Sequence, residues 1–144
     1  MAEENAKAAI GIVVVSHCDV AGEMVRATEL IVGALEACRA IAITPREAVD
    51  DTVRRLREAI KEVDRGRGVL ILTDLFGGTP ANISLPFLSS RVEVVFGVNL
   101  PMLIKLASCR KTHTLEEAAR VVRDYGRRHI SVASDVLAKP VTSE

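Results

Sequence analysis

The sequence predicts an α/β fold, a doubly wound and mostly parallel open sheet with helices on both faces. Short apolar runs rich in β-branched residues alternate with stretches of helical period, which is the pattern of consecutive βαβ units. Two of these runs, residues 10–15 and 69–73, consist almost entirely of residues suited to strands buried on both faces. Hydrophobic residues make up 49% of the chain but aromatic residues only 3%, which favours an aliphatic core.

The first βα pair occupies the first forty residues. A strand is predicted at residues 10–15 and a helix at about residues 21–38, with Asp19 as its N-cap. The alternating segment 40–43 is predicted to be the second strand. Helical spacing places five apolar residues on one face of the helix: Met24, Ala27, Ile31, Leu35 and Cys38.

The second and third helices have clear start signals. Pro45 suits the start of the second helix, and Thr79 followed by Pro80 suits the cap and first position of the third. Pro86 is expected to kink or shorten that third helix. On the second helix we expect Asp50/Arg54 and Asp51/Arg55 as ion pairs and an apolar stripe of Val49, Val53, Leu56, Ile60 and Val63.

The rest of the chain completes the sheet. A fourth strand is predicted at residues 92–96, followed by a short helix that ends near residue 108. The last helix begins at Thr114, which forms a capping box with Glu117, and ends on the cations of residues 127–129. Residues 130–136 are predicted to add a short edge strand.

Composition narrows the function. At 144 residues the chain is expected to be one domain, 1–144, with its core at about 9–138. Its formal net charge is zero and it has no Trp, so neither a basic surface nor stacking platforms suggest a nucleic-acid partner. Three separated cysteines without a Cys-x-x-Cys pair argue against disulfides and a zinc site, and we expect no metal or cofactor. An acidic N-terminus and the lack of a long apolar run favour a cytoplasmic protein.

Two polar residues end neighbouring buried strands. His17 ends the first strand and Asp74 follows the third, so both should lie at the carboxyl edge of the sheet, where such folds place their sites. A neutral imidazole is a nucleophile, and a carboxylate can fix its tautomer and stabilise the charge that develops on it. Asp74 could instead only cap the turn that follows it.

A Gly-Gly-Thr turn supplies the third part of the predicted site. Gly77, Gly78 and Thr79 offer backbone amides to an oxyanion, and Ser16 could add a hydrogen bond. The turn matches neither the P-loop nor the Gly-x-Gly-x-x-Gly pattern. Together these residues suit phosphoryl transfer through a phosphohistidine, since that reaction asks mainly for positioning and charge stabilisation.

The remaining histidines and cysteines are weaker candidates. His113 and His129 flank the last helix and are expected to be structural surface residues. Cys18 neighbours the nucleophile and could be reactive, but we favour a packing role. A Cys-His-Asp catalytic site is the alternative, although side chains adjacent along the chain should diverge.

Three segments together are similar to one family. Residues 12–17, 72–82 and 97–103 resemble the mannose-family IIA domains of the bacterial phosphoenolpyruvate-dependent sugar phosphotransferase system, over about residues 9–141. The resemblance implies that His17 is phosphorylated on Nε2 by the carrier HPr, with Asp74 as its hydrogen-bond partner and residues 77–79 in the phosphate pocket. It also implies a flavodoxin-like strand order and a homodimer that exchanges an antiparallel C-terminal edge strand.

The resemblance also implies partners. Phosphate would pass to a IIB component, here expected to be a separate polypeptide because no IIB domain follows Glu144, and through it to a IIC/IID membrane permease. Cys18 stands where relatives often have glycine, and Pro86 interrupts a helix that is usually continuous. For carrier docking we select four apolar residues in the loops after strands three and four: Phe76, Leu100, Pro101 and Met102.

Three other functions remain open. One is a regulatory protein that accepts phosphate from HPr but has no transport role, and a second is the phosphoryl donor subunit of dihydroxyacetone kinases, whose loop is usually shorter. The third is a non-covalent anion- or nucleotide-binding module. The sugar cannot be inferred, because its specificity would belong to the membrane partner.

Overall fold

The computed structural model describes residues 8–138. Its centre is a four-stranded sheet in the order β2-β1-β3-β4, with every neighbouring pair parallel. This confirms the predicted α/β fold and its parallel sheet. The strands are β1 (Gly11–His17), β2 (Cys38–Ile43), β3 (Val69–Thr73) and β4 (Val92–Phe96).

Helices cover both faces of the sheet. They are α1 (Val20–Val32), α2 (Val49–Val63), α3 (Gly78–Ser84), α4 (Leu100–Cys109), α5 (Leu115–Arg128) and α6 (Ala133–Leu137). Alternate residues of β1 face opposite sides, so Ile12 and Val14 pack with α1, α4 and α5, whereas Val13 and Val15 pack with α2 and α3. None of the helices found in residues 8–138 is long and apolar enough to cross a membrane.

Several predicted boundaries are confirmed and explained by local chemistry. Thr114 and Glu117 form both hydrogen bonds of the capping box that begins α5. Pro86 shortens its helix, because α3 ends at Ser84 and residues Leu85–Phe87 continue as one turn of 3₁₀ helix. The fourth strand lies where the sequence places it. The helix after it ends close to the predicted residue, at Cys109, but begins at Leu100, within the stretch that was assigned to a loop.

Two helix boundaries were predicted wrongly. The first helix ends at Val32, six residues early, because Gly33 takes a φ of 94° and turns the chain, so Cys38 begins β2 instead. The second begins at Val49 and not at Pro45, because a turn closed by the Glu47 N–H on the Thr44 carbonyl precedes it. Its ion pairs differ accordingly: Arg54 pairs with Asp51 and Arg55 with Glu47.

The predicted C-terminal edge strand is wrong for this chain. Residues 130–132 are irregular and α6 follows, with the N–H groups of Asp135 and Val136 bonded to the Val132 carbonyl. The segment is exposed, and the local turn of α6 satisfies those N–H groups without pairing to a strand. The acidic stretch at the N-terminus, residues 139–144 and the full extent 1–144 predicted for the domain lie outside the described residues.

Candidate functional site

The site begins at His17, the last residue of β1. This end of β1 lies between β2 and β3: His17 pairs with Ile43 of β2, and Val15 pairs with Thr73 of β3. The residue before it is buried, while the imidazole is 48% exposed. Asp74 follows the neighbouring strand β3 directly, so the sheet itself brings the two predicted residues together.

One carboxylate oxygen holds His17 in two ways. Oδ2 of Asp74 lies 2.9 Å from Nδ1 of the imidazole and accepts the backbone N–H of His17 at 3.0 Å. A carboxylate oxygen only accepts, so in the neutral imidazole Nδ1 carries the proton and Nε2 has the lone pair. Oδ1 of Asp74 is buried and has no hydrogen-bond partner in residues 8–138. All the side-chain bonds seen for Asp74 there therefore go to His17.

The glycine turn faces the free nitrogen of the imidazole. A Cβ placed on Gly78 would lie 3.3 Å from Cε1 and 3.4 Å from Nε2 of His17. Gly77 and Gly78 both have positive φ, 85° and 80°, which L side chains rarely adopt. Glycine is thus required here both for the backbone path and for the close approach of that backbone to the imidazole.

The cap of the turn differs from the prediction. The helix begins at Gly78 with Gly77 as its N-cap, and no side-chain cap bond is made, so Thr79 is not the cap. Thr79 is exposed and lines the same cavity as His17. The backbone N–H groups of Gly77, Gly78 and Thr79 have no acceptor among the residues the structure describes, which leaves them available to an anion.

Ser16 has a structural role that the sequence did not reveal. Its side chain is fully buried, and its hydroxyl donates to the Cys18 carbonyl at 3.0 Å and accepts the Ala21 N–H at 2.7 Å. This is the capping bond that was predicted for Asp19, whose carboxylate instead binds exposed Arg26. Ser16 therefore supports the turn after His17 and is not exposed to a bound phosphate.

Cys18 has an unusual backbone conformation. Its φ is 50°, in the left-handed region that favours glycine, while its N–H donates to the Ile43 carbonyl. The bond between Ser16 and the Cys18 carbonyl spans the same turn. The glycine noted in relatives at this position was the sequence signal for this conformation.

A cavity of about 320 Å³ lies beside the imidazole. His17, Cys18 and Thr79 line one side, and the loop after β2 lines the other with Thr44, Pro45 and Glu47. None of these loop residues was among the predicted site residues. Their position after a strand, at the same carboxyl edge, was the signal that could have found them.

Of the four residues selected for docking, one is not at the surface. Phe76 is 77% exposed and packs edge-on against Phe96, with ring centroids 5.1 Å apart. Leu100 and Pro101 are half-buried at the start of α4. Met102 is only 3% exposed and belongs to the core, so its selection for docking is wrong. Asn99 caps α4 and receives the Met102 N–H, and the helix then turns the Met102 side chain against Gly126.

The other two histidines lie outside this site. Nδ1 of His113 is 3.0 Å from the Thr112 hydroxyl, and His129 packs on the Tyr125 ring with centroids 3.9 Å apart. Neither lines the cavity beside His17. The structure thus leaves His17 as the histidine that combines a carboxylate partner with a facing glycine turn.

Comparison with known proteins identifies the family. Residues 11–122 match the EIIA-man family, described as the PTS system fructose IIA component. YadI of Escherichia coli strain K12, named as a phosphotransferase enzyme IIA component, is 34% identical over 124 residues, 85% of each chain. The PTS fructose-specific EIIA component of Bacillus subtilis is 26% identical over 136 residues, 93% of each.

A solved structure agrees with both relatives. The PTS IIA protein associated with the fucose utilization operon of Streptococcus pneumoniae superposes with a TM-score of 0.78 at 26% identity. The match covers 89% of this chain and 96% of that one. The family match covers most of the chain, and the strand order and the carboxyl-edge site are in place. This chain belongs to the EIIA-man family of IIA components of the sugar phosphotransferase system.

Proposed function

We propose that this chain is a phosphocarrier whose His17 accepts a phosphoryl group from phosphorylated HPr and passes it to a separate IIB component. One observation carries the proposal: Asp74 Oδ2 makes two hydrogen bonds to His17, one to its backbone N–H and one to Nδ1. This leaves Nε2 free opposite Gly78. The enzyme class is a phosphotransferase with a phosphohistidine intermediate.

The geometry suits attack by Nε2. The Nε2–P bond forms as the bond between phosphorus and the donor's imidazole nitrogen breaks, and the donor leaves as neutral histidine. Positive charge develops on the His17 ring, where the Asp74 carboxylate stabilises it through Nδ1–H. The second transfer, to the IIB component, is the same step with His17 as the leaving group.

The glycine turn would hold the transferred group. The free N–H groups of Gly77, Gly78 and Thr79 can bind phosphoryl oxygens, and the exposed Thr79 hydroxyl can add a bond. Positioning and charge stabilisation of this kind are what phosphoryl transfer requires. Buried Ser16 has no part in the phosphate pocket.

Both carriers would dock on the rim around His17. Exposed Phe76 and half-buried Leu100 and Pro101 provide apolar contacts there, and a small contact area suits fast, transient encounters. We further propose that the protein is cytoplasmic, forms a homodimer and serves a IIC/IID permease indirectly.

The test is phosphorylation of the intact chain. Incubation with phosphoenolpyruvate, enzyme I and HPr should add one phosphoryl group, detected by mass spectrometry. The His17→Ala variant should take up none and stay folded, since the imidazole is half-exposed at the end of its strand. Two control variants, His113→Ala and His129→Ala, should be labelled as fully as the unmodified protein. Full labelling of His17→Ala would refute the proposal.

A further inference from the structure

A buried arginine lies at the end of the sheet opposite His17. Arg110 follows α4 and is only 4% exposed. Its Nε donates to the Ile10 carbonyl at 2.9 Å and its Nη2 to the Ala37 carbonyl at 3.1 Å. These carbonyls directly precede β1 and β2, so Arg110 ties together the amino ends of two strands.

The positive charge of Arg110 lacks a carboxylate partner. Within residues 8–138 no acidic side chain lies within ion-pair distance, 4.0 Å, of its guanidinium, and Nη1 makes no hydrogen bond there. Burial lowers the pKa of Arg110; the charges of Cys38 and Glu36 act in the opposite direction, and that of Arg65 in the same one. A buried charge is costly unless it is paired, so this position favours an anion.

A cavity of about 230 Å³ adjoins Arg110. Arg65 and Lys111 line it as well, and both are exposed and unpaired in the part of the chain that the structure describes. Glu36 is the one acidic residue among those lining it. Three cations and one carboxylate give the lining a net charge of +2, which would balance the charge of a phosphate dianion.

We propose that this cavity binds a phosphate-sized oxyanion, either inorganic phosphate or the phosphoryl end of a small monoester. Arg110 lines the cavity, and its Nη1, which makes no hydrogen bond within residues 8–138, supplies N–H donors for phosphate oxygens, while Arg65 and Lys111 supply further positive charge. The seven residues of β1 separate this site from His17 by about 20 Å, at ~3.3 Å per residue. It is therefore distinct from the glycine turn.

The test follows backbone amides by NMR during titration with inorganic phosphate at constant ionic strength. Saturable shifts are expected at residues 34–37, 65 and 111, whatever occurs at residues 77–79. The Arg65→Ala/Lys111→Ala variant should bind at least ~10-fold more weakly at these residues, because two charged partners are lost. The matched control Lys61→Ala/Arg127→Ala removes the same charge from exposed positions elsewhere and should leave the affinity unchanged.

Further arms separate the ligands. Glycerol phosphate should reproduce the phosphate shifts if the phosphoryl group alone is recognised, and acetate should give much weaker ones. The Glu3→Gln/Glu4→Gln variant of the full chain tests whether the carboxylates of the acidic N-terminus compete with phosphate. It should bind phosphate as the unmodified protein does. Three results would overturn the proposal: shifts confined to residues 17 and 77–79, equal weakening in both double variants, or saturable binding only after the change at Glu3 and Glu4.

Discussion

At the scale of single residues, the side chain of Asp74 serves one neighbour, His17. Its Oδ2 binds only His17, through ring and backbone, and its Oδ1 has no partner in residues 8–138. Replacement by Asn can therefore keep the shape of the site, because the amide NH₂ can take the place of Oδ1 without meeting a donor. Such a variant isolates the contribution of the negative charge.

We expect Asp74→Asn to slow phosphoryl transfer from phosphorylated HPr by about 10² or more, because the charge on the His17 ring loses its stabilising partner. The measurement is the single-turnover rate at fixed pH. Asp19→Asn is the control: the Asp19 carboxylate follows His17 closely in the chain but binds exposed Arg26, and the rate of this variant should stay within about twofold. Equal rates for the two variants would reduce Asp74 to a turn residue.

Gly78 offers a second test of the site. Gly78→Ala places a methyl group 3.3 Å from His17 Cε1, so the imidazole must shift by a few tenths of an ångström. Because transfer depends on the exact position of the attacking nitrogen, we expect it to slow. Gly66→Ala is the matched control, since Gly66 also has positive φ, 99°, but nothing lies within 4 Å of its Cβ position.

Both glycine variants should lose about 1–2 kcal/mol of stability from the left-handed backbone. Chemical denaturation checks this loss, and only Gly78→Ala should slow transfer. Slow transfer in both would show that backbone strain, and not the contact with His17, is responsible.

The candidate site was predictable where it follows from topology. His17 and Asp74 end neighbouring strands, so their meeting follows from strand order alone. The role of Ser16 was not predictable in the same way. It depends on the path of one turn, in which Cys18 takes positive φ and brings the Ala21 N–H over the Ser16 hydroxyl.

At the scale of elements, α4 shows how helical register decides the role of a residue. Leu100, Pro101 and Met102 are consecutive, but only Met102 is turned into the core, where a Cβ on Gly126 would lie 2.5 Å from its Cγ. The absence of a side chain at Gly126 is what lets α4 and α5 approach. A loop-like sequence after β4 concealed this helix start.

Met102→Glu should therefore destabilise the protein by about 3 kcal/mol or more, because a carboxylate would be buried without a partner. Met102→Leu, which conserves volume, should cost less than about 1.5 kcal/mol. Urea denaturation measures both. A fully stable Met102→Glu variant would place Met102 at the surface after all.

Phe76→Glu should have the opposite pattern. Its ring is mostly exposed, so stability should change by no more than about 0.5 kcal/mol. Transfer from phosphorylated HPr should slow, since the docking rim loses an apolar contact. Unchanged transfer would remove Phe76 from the docking surface.

Element identity was easier to predict than element ends. The strand Val69–Thr73 is apolar up to its last residue and buried throughout, and the capping box of α5 is a local signal, so both are placed correctly. The end of α1 depends on the backbone conformation of Gly33, and its apolar pattern continues past it into β2. Periodicity alone cannot separate a helix end from a strand start when both are apolar.

At the scale of the whole molecule, an unfilled groove lies beside β4. This strand is at the edge of the sheet, and a cavity of about 420 Å³ runs between it and α5. Four large apolar residues after α5 are exposed: Ile130, Val132, Val136 and Leu137. An unpaired strand edge beside exposed apolar residues is suited to pairing with a second chain.

We therefore expect a homodimer whose stability depends on the segment after α5. Removal of residues 130–144 should give a monomer in sedimentation analysis, with the helix content of the remaining domain preserved by circular dichroism. Val132→Lys/Val136→Lys in the full chain should weaken the dimer in the same direction without removing backbone. A truncated protein that stays dimeric would place the interface on another face.

One oxygen of Asp74 binds both the backbone and the ring of His17. This has a consequence for how partners distinguish the phosphorylated form from the free form. If His17 carries phosphate on Nε2 as proposed, both bonds to Asp74 can stay in place. We therefore expect the phosphorylated and free forms to share one backbone conformation and to differ in the charge of the phosphoryl group. A partner must then distinguish the two forms by charge. Which docking protein binds which form is set by how well its contact surface accommodates an additional dianion.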